Sequence, residues 1–338
     1  MIIEDANIVK SPVVSVIVAT YKQEQFIAQC LDTILSQQFD QDWELIIGDD
    51  KSPDKTTEIC KQYQRKYPEK IRLDIHETNV GCTGNYNALY ALARGKYIVR
   101  CDGDDYWCDN QKLQKQYDYM ESHPECGLVS MNVNFMDASG RVYATRVIRQ
   151  DDYPKSFEDQ VLRATFFCSS SWMFRRELVR YYDASYPFAD ESYAFSVEAF
   201  RHSEVHLLDE CMTNYRTLSG TISSAGNAEK FFKQYNGVFE SQKYFIKRYH
   251  LNDDLQTQIY SKNYFELLPY ALEIHNDDFV QQARVFFEMH HMYFDFLLLT
   301  SMRSNIFKKQ RNNAWKSWAY RIGSIIIYPF KLIRKLHE

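Results

Sequence analysis

Lys96-Tyr97-Ile98-Val99-Arg100-Cys101-Asp102-Gly103-Asp104-Asp105-Tyr106-Trp107 takes an apolar strand pattern directly into three carboxylates within four residues. In an extended chain the side chains at i and i+2 share a face, so Asp102 and Asp104 can converge on one point, and Gly103 lets a ligand come close to the backbone. Negative charge packed this way calls for a cation. Mg2+ or Mn2+ held by one or two carboxylates, with substrate phosphates completing the shell, is the usual arrangement where a nucleotide must be positioned. Taken alone, an Asp-x-Asp is more often an acidic turn at the edge of a sheet.

Two further segments repeat the pattern. Trp43-Glu44-Leu45-Ile46-Ile47-Gly48 runs into Asp49-Asp50, and Val13-Val14-Ser15-Val16-Ile17-Val18-Ala19 runs into Thr20-Tyr21-Lys22-Gln23-Glu24. The latter feeds a helical pattern with Phe26, Ile27, Cys30, Leu31, Ile34 and Leu35 on one face. Near-continuous apolar strands separated by amphipathic helices predict an α/β fold with a parallel sheet covered on both faces. Ligands of such sheets bind beyond the carboxyl ends of the strands. All three polar loops fall on that rim.

In these residues the chain resembles the inverting glycosyltransferases of family 2. The matching pieces are "SVIVATYKQEQFIAQCLDTILSQ", "ELIIGDDKSPDKT", "ETNVGCTGNYNALYALARGKYIVRCDGDDYW" and "LLDECMTNYRTLSGTIS", which together span about residues 10 to 225 in the family's order. The resemblance implies the GT-A fold, a Rossmann-like, mostly parallel sheet flanked by helices. It implies that Thr20, Tyr21, Glu24, Asp49 and Asp50 line the nucleotide pocket, with one Asp of the second motif on the base, and that Asn79, Gly81 and Asn85 lie near the nucleotide. Asp102 would reach the ribose or the metal, and Asp104 would be the principal ligand of Mg2+ or Mn2+.

Sugar transfer from a nucleotide diphosphate needs the leaving diphosphate neutralised and the acceptor hydroxyl deprotonated as it attacks. In an inverting enzyme the base works from the face opposite the leaving group, so it should come from a separate, later segment. Pro187-Phe188-Ala189-Asp190-Glu191-Ser192 is that segment. Relatives carry Glu-Asp or Gly-Asp followed by an aromatic residue here, so the register is open: Asp190 is the first choice of base, Glu191 the second and Glu198 a distant third. The same acids also suit the first turn of a helix. Lys22 stands where relatives often have Asn, and Leu218 where they often have a His after Tyr-Arg, which removes a third metal ligand. Arg216 remains, either beside the diphosphate or in a structural ion pair. Tyr106 and Trp107 could present an aromatic face to the acceptor sugar, whereas Trp172 reads as core filler.

The 338 residues are 45% hydrophobic and 25% charged, enough for a large domain and a smaller one. The expected division is a glycosyltransferase domain at 1–225, a helical appendage at 226–305 rich in Phe and Tyr, and a basic amphipathic tail at 306–338. Eight scattered cysteines and no signal-like N-terminus fit reduced thiols in the cytoplasm, and the nine histidines lack zinc-ligand spacing. From Arg303 to Glu338 there are nine Lys or Arg and one acid. This tail suits either the surface of an anionic membrane, at the inner face of the cell membrane, or docking on the protein's own core.

The expected partners are a nucleotide-diphosphate sugar donor and a glycan or lipid-linked acceptor, with no nucleic acid. A catalytically silent glycan-binding relative and a sugar-phosphate nucleotidyltransferase are the competing readings. The latter needs a glycine-rich loop after the first strand, where Thr20-Tyr21-Lys22-Gln23-Glu24 has none.

Overall fold

The computed structural model describes residues 1–165, 168–218 and 227–292. Its sheet begins with strands that have no polar face. After a short β1 (Ile2–Ile3), both β2 (Val14–Thr20) and, beyond α1 (Ile27–Leu35), β3 (Trp43–Asp49) are buried at every position. Helix α1 turns Ile27, Cys30, Leu31 and Ile34 inward. Helix α2 (Thr56–Lys66), β4 (Ile71–Ile75), α3 (Gly81–Leu92) and β5 (Tyr97–Asp102) complete a parallel unit. The chain continues through β6 (Tyr106–Trp107), α4 (Lys112–Ser122), β7 (Cys126–Met136), β8 (Val142–Ala144), α5 (Phe157–Arg163), β9 (Met173–Arg175), α6 (Glu191–His202) and β10 (Glu204–Arg216).

The strand order is β1-β4-β3-β2-β5-β9-β7-β10-β6, with β8 on β7. Strands β2, β3, β4 and β5 run parallel, β9 is antiparallel to both β5 and β7, β10 is parallel to β7, and β6 returns antiparallel on β10. From β2 the chain proceeds to β3 and β4 on one side and returns to β5 on the other. The crevice for a ligand therefore opens between the ends of β2 and β5. The register is specific there: Thr20 lies opposite Asp49, and Ala19 opposite Asp102.

A buried carboxylate in the body of the sheet shows what this interior demands. Glu44, fully buried on β3, accepts hydrogen bonds from Ser15 Oγ at 2.7 Å, from the Arg94 amide at 3.1 Å and from Arg94 Nη2 at 2.6 Å, with Arg72 Nη1 at 3.4 Å. Two guanidinium groups offset the cost of placing its charge out of water.

A second compact unit gathers residues 158–165 with the described residues after 218. Its helices α7 (Ala228–Tyr249), α8 (Asp253–Glu273) and α9 (Asp277–Met289) each start at an Asn whose side chain accepts from a first-turn amide: Asn227, Asn252 and Asn276. Gln242 Nε2 and Lys262 Nζ donate to carbonyls of Val161 and Arg163, which ties the end of α5 into this unit. His290 and His291 follow the end of α9 and are exposed, the His290 ring lying 4.5 Å from that of Phe286. No helix among the described residues is long and apolar enough to cross a membrane, and the basic tail at 306–338 lies outside the described residues.

Replacing Glu44 by Leu leaves Arg94 and Arg72 without their shared partner. Urea denaturation of Glu44→Leu is expected to show a loss of about 3 kcal/mol; a loss below about 1 kcal/mol would mean that the two arginines are satisfied without it.

Candidate active site

Each side chain at the rim is fixed by the strand end or helix start that carries it. Thr20 closes β2, is 3% exposed and donates to Gln23 Oε1 at 2.7 Å. Tyr21 follows with its side chain 39% exposed, and Lys22 adopts a left-handed backbone with φ 55°. That conformation favours Asn or Gly. Glu24 accepts from the Lys55 amide at 2.9 Å, joining the loops after β2 and β3.

The second acidic pair is occupied by the protein itself. Asp49 accepts from Ser52 Oγ and Thr57 Oγ1, both at 2.6 Å. Asp50 accepts from the amides of Val80 at 2.7 Å and Gly81 at 2.9 Å, two of the donors that the start of α3 would otherwise leave unpaired. Asn79 Nδ2 donates to the Asp50 carbonyl at 3.2 Å. Asn85 is buried, donates to the Gly48 carbonyl at 2.8 Å and shares a hydrogen bond with His76 Nε2 at 3.1 Å. Gly81, with φ 79°, has nothing within 4 Å of where a Cβ would stand. The open features on this side are therefore the Tyr21 ring and the backbone at Gly81, while the carboxylates of Asp49 and Asp50 hold the loops in place.

The Asp-Gly-Asp-Asp turn behaves differently. Asp102 Oδ1 accepts from Tyr86 Oη, and Oδ2 accepts from Ser170 Oγ at 3.0 Å. Gly103 is required by the protein's own packing rather than by a ligand: a Cβ would sit 2.3 Å from Gln23 Oε1 and 2.9 Å from Thr20 Oγ1. The carboxylate of Asp104 accepts a hydrogen bond from no other described residue. Desolvation, and then the charge of Asp102, push it up to about 7, against a lowering by Arg216. Asp105 is buried, accepts from the Arg216 amide at 2.8 Å, and is raised well above the usual carboxylate range by burial and then by Asp104 and Asp102. The Asp104 carboxylate, which has no hydrogen-bond donor among the other described residues and lies close to Asp102, fits a divalent ion held by these two groups.

Trp107 takes a place other than the one suggested by the sequence, and Arg216 lies against the acidic turn. Strand β6 pairs with the end of β10, setting Tyr106 opposite Asn214 and Trp107 opposite Thr213. Trp107 is only 2% exposed, with Nε1 donating to the Ser170 carbonyl at 3.3 Å and Lys112 Nζ 4.4 Å over its ring, so it offers no face to a sugar. Tyr106 remains partly exposed, and Trp172 lies in the core. Arg216 is 5% exposed; its Nε donates to the Asp104 carbonyl at 2.8 Å, Nη2 to Gln29 Oε1 at 2.9 Å, and its guanidinium lies 4.4 Å over Phe26. It braces the acidic turn from below.

Asp190 and Glu191 stand in different surroundings. Asp190 caps α6: its Oδ1 accepts from the Tyr193 amide at 3.0 Å and from Ser192 Oγ at 2.7 Å, leaving Oδ2 with no hydrogen-bond partner among the described residues. Glu191 is 4% exposed and paired with Arg100, Nη1 to Oε2 2.8 Å, while Tyr90 Oη donates to Oε1 at 2.6 Å. Glu198, further along α6, is buried beside His202.

Helix α3 runs between the two sides. It receives Asp50 at its start, and its Thr83 and Asn87 side chains donate to the Phe188 and Ala184 carbonyls at 3.4 and 3.3 Å. The Cys82 thiol in its first turn is raised by desolvation first, then by the charges of Asp102 and Glu191, with a share from Asp190. Tyr86, Ser170 and Arg100 were not among the expected site residues. Arg100 was legible as a lone cation inside an apolar strand.

Residues 15–182 match the family model described as Glycosyl transferase family 2. Putative glycosyltransferase EpsE of Bacillus subtilis is 34% identical over 170 residues, covering 50% of this chain and 58% of EpsE. An uncharacterized protein of Mycobacterium tuberculosis is 40% identical over 111 residues, 33% of this chain and 32% of that protein. The chain therefore spans about a third of the length of such mycobacterial relatives. Among solved structures, S. aureus TarS 1-349 in complex with UDP-GlcNAc superposes with a TM-score of 0.57 at 17% identity, covering 87% of this chain and 92% of that TarS fragment. A mannosyltransferase from Pyrobaculum calidifontis in complex with GDP-Man and Mn2+ gives 0.54 at 17% identity, covering 91% and 88%. These superpositions show the shared GT-A architecture.

Asp104 retains a proton below about pH 7 in the free protein, and a cation must displace it. Mn2+ affinity is expected to rise about tenfold per pH unit up to about pH 7 and to level off above, read by calorimetry. A flat profile from pH 5 to 7 would contradict cation binding at this carboxylate.

Proposed function

The chain belongs to glycosyltransferase family 2 through its domain at residues 15–182, and from that premise we propose that it transfers a sugar from a nucleotide-diphosphate donor to a hydroxyl of a glycan or lipid-linked acceptor, with inversion at the anomeric carbon. The observation that carries this reading is the difference among the rim carboxylates. Asp49, Asp50 and Glu191 are neutralised by the protein's own donors, whereas Asp104 and the Oδ2 of Asp190 are left for a ligand.

In this mechanism the nucleoside lies over the ends of β2 and β3, against the exposed Tyr21 ring and the open backbone at Gly81. TarS binding UDP-GlcNAc and the Pyrobaculum enzyme binding GDP-mannose support a uridine or guanosine diphosphate sugar as donor. Asp104, with Asp102, would hold Mg2+ or Mn2+, which supplies positive charge against the departing diphosphate. Arg216 keeps the turn from yielding to that pull through its bonds to the Asp104 carbonyl and the Asp105 carboxylate. Asp190 Oδ2 accepts the proton of the acceptor hydroxyl as that oxygen attacks the anomeric carbon. The bonds to Oδ1 from Tyr193 and Ser192 hold the carboxylate in one orientation while it does so.

Release of UDP from UDP-GlcNAc, or of GDP from GDP-mannose, in the presence of Mn2+ tests the assignments. Asp190→Asn is expected to lower turnover by at least about 100-fold while the Kd for the nucleoside diphosphate stays within about threefold. Asp104→Asn is expected to lose both turnover and Mn2+-dependent nucleotide binding. Wild-type turnover in Asp190→Asn would remove Asp190 as the base.

A further inference from the structure

We propose that Arg100 is a positioning residue of the transfer reaction, its buried pair with Glu191 fixing the first turn of α6, and therefore Asp190, against the strand end that carries Asp102. The inference rests on Asp190 as the base. Arg100 and Asp102 stand two residues apart on β5 and so share a face. Arg100 is 2% exposed, and its Nη1 lies 2.8 and 3.1 Å from the two carboxylate oxygens of Glu191 and 2.7 Å from Tyr90 Oη.

The guanidinium is held 3.7 Å from the centre of the Tyr86 ring and 5.3 Å from that of Trp172. Tyr86 in turn donates its hydroxyl proton to Asp102 Oδ1. A continuous chain of contacts therefore runs from Asp102 through Tyr86, Arg100 and Glu191 to the adjoining Asp190. Every link except the final peptide unit is a side-chain contact, and Tyr86, Arg100 and Glu191 are buried.

Stability alone is a poor account of this pair. Taking two charges out of water offsets most of what their attraction returns, and well-packed apolar side chains of similar volume do as well or better. Arg100 Nε moreover finds no hydrogen-bond partner among the described residues. What the pair provides is geometry. A planar guanidinium between aromatic walls admits one placement of Glu191, and Glu191 is the first residue of α6. A carboxylate that must meet an attacking hydroxyl within a fraction of an ångström depends on such a tie, because a displacement of about 1 Å is worth about 100-fold in rate.

The test uses the full chain with Arg100→Met and Glu191→Leu combined, so that neither charge is left alone. Turnover of UDP-GlcNAc or GDP-mannose with Mn2+ is expected to fall about 100-fold in kcat, with KM and the Kd for UDP or GDP within about threefold of wild type. Adding the pair to Asp190→Asn is expected to cost no more than about a further threefold, because the pair acts through Asp190. A folded double variant with wild-type kcat overturns the proposal, as does a full further 100-fold loss on top of Asp190→Asn.

If the double variant does not fold, Glu191→Asp, which retracts the carboxylate by one methylene, must lower kcat with nucleotide Kd unchanged, and an unchanged kcat overturns the proposal. Amide exchange across residues 190–195 reads the same tie without a donor, and an unchanged rate in the double variant counts against it. Wild-type turnover in Asp190→Asn, by contrast, defeats the base assignment itself; loss there with an intact double variant defeats only the positioning role.

Discussion

The parallel pairing of β2 with β3 on one side and β5 on the other brings Thr20 level with Asp49 and Ala19 level with Asp102, and the chemistry of the rim follows from that register. A one-residue slip would turn every side chain on a strand to the opposite face. Because the three strands are buried through nearly their whole length, Thr20, Asp49 and Asp102 come out together where the strands end. The crevice lies where the connectivity reverses, between β2 and β5, and α3 forms a wall that reaches from the Asp50 loop to the segment before Asp190.

Carboxylates in this molecule differ chiefly in what neutralises them. Glu44 in the body of the sheet and Glu191 at the start of α6 are each met by arginine. Asp49 and Asp50 are met by hydroxyls and by backbone amides, so they shape loops instead of facing a ligand. Asp104 accepts from no other described residue, and burial followed by the charge of Asp102 pushes it up; Asp105, although it accepts from the Arg216 amide, is raised by burial and then by Asp104 and Asp102. A buried carboxylate without a donor beside a second carboxylate is an arrangement that suits a divalent cation.

Strand and helix periodicity made the α/β layout and the common rim legible, since continuous burial and a 3.6-residue stripe leave plain marks in sequence. The partner of a polar side chain leaves no such mark. Asp49 and Asp50 read as a ligand-binding pair, but their partners Ser52, Thr57, Val80 and Gly81 are set by loop conformation. Trp107 was drawn inward by the pairing of β6 with β10, a long-range antiparallel contact between two residues of a short strand and the end of a long one. Asp190 and Glu191 are neighbours of the same charge, and only the location of Arg100 separates their environments.

The most direct measurement of the central claim is a crystal structure with Mn2+ and UDP or GDP, with the ion located by its anomalous signal. The account requires Mn2+ on Asp104 with Asp102 close by, the diphosphate spanning the crevice between β2 and β5, and Asp190 Oδ2 facing the space beyond the terminal phosphate. A diphosphate bound elsewhere, or Mn2+ coordinated away from Asp104 and Asp102, would contradict it.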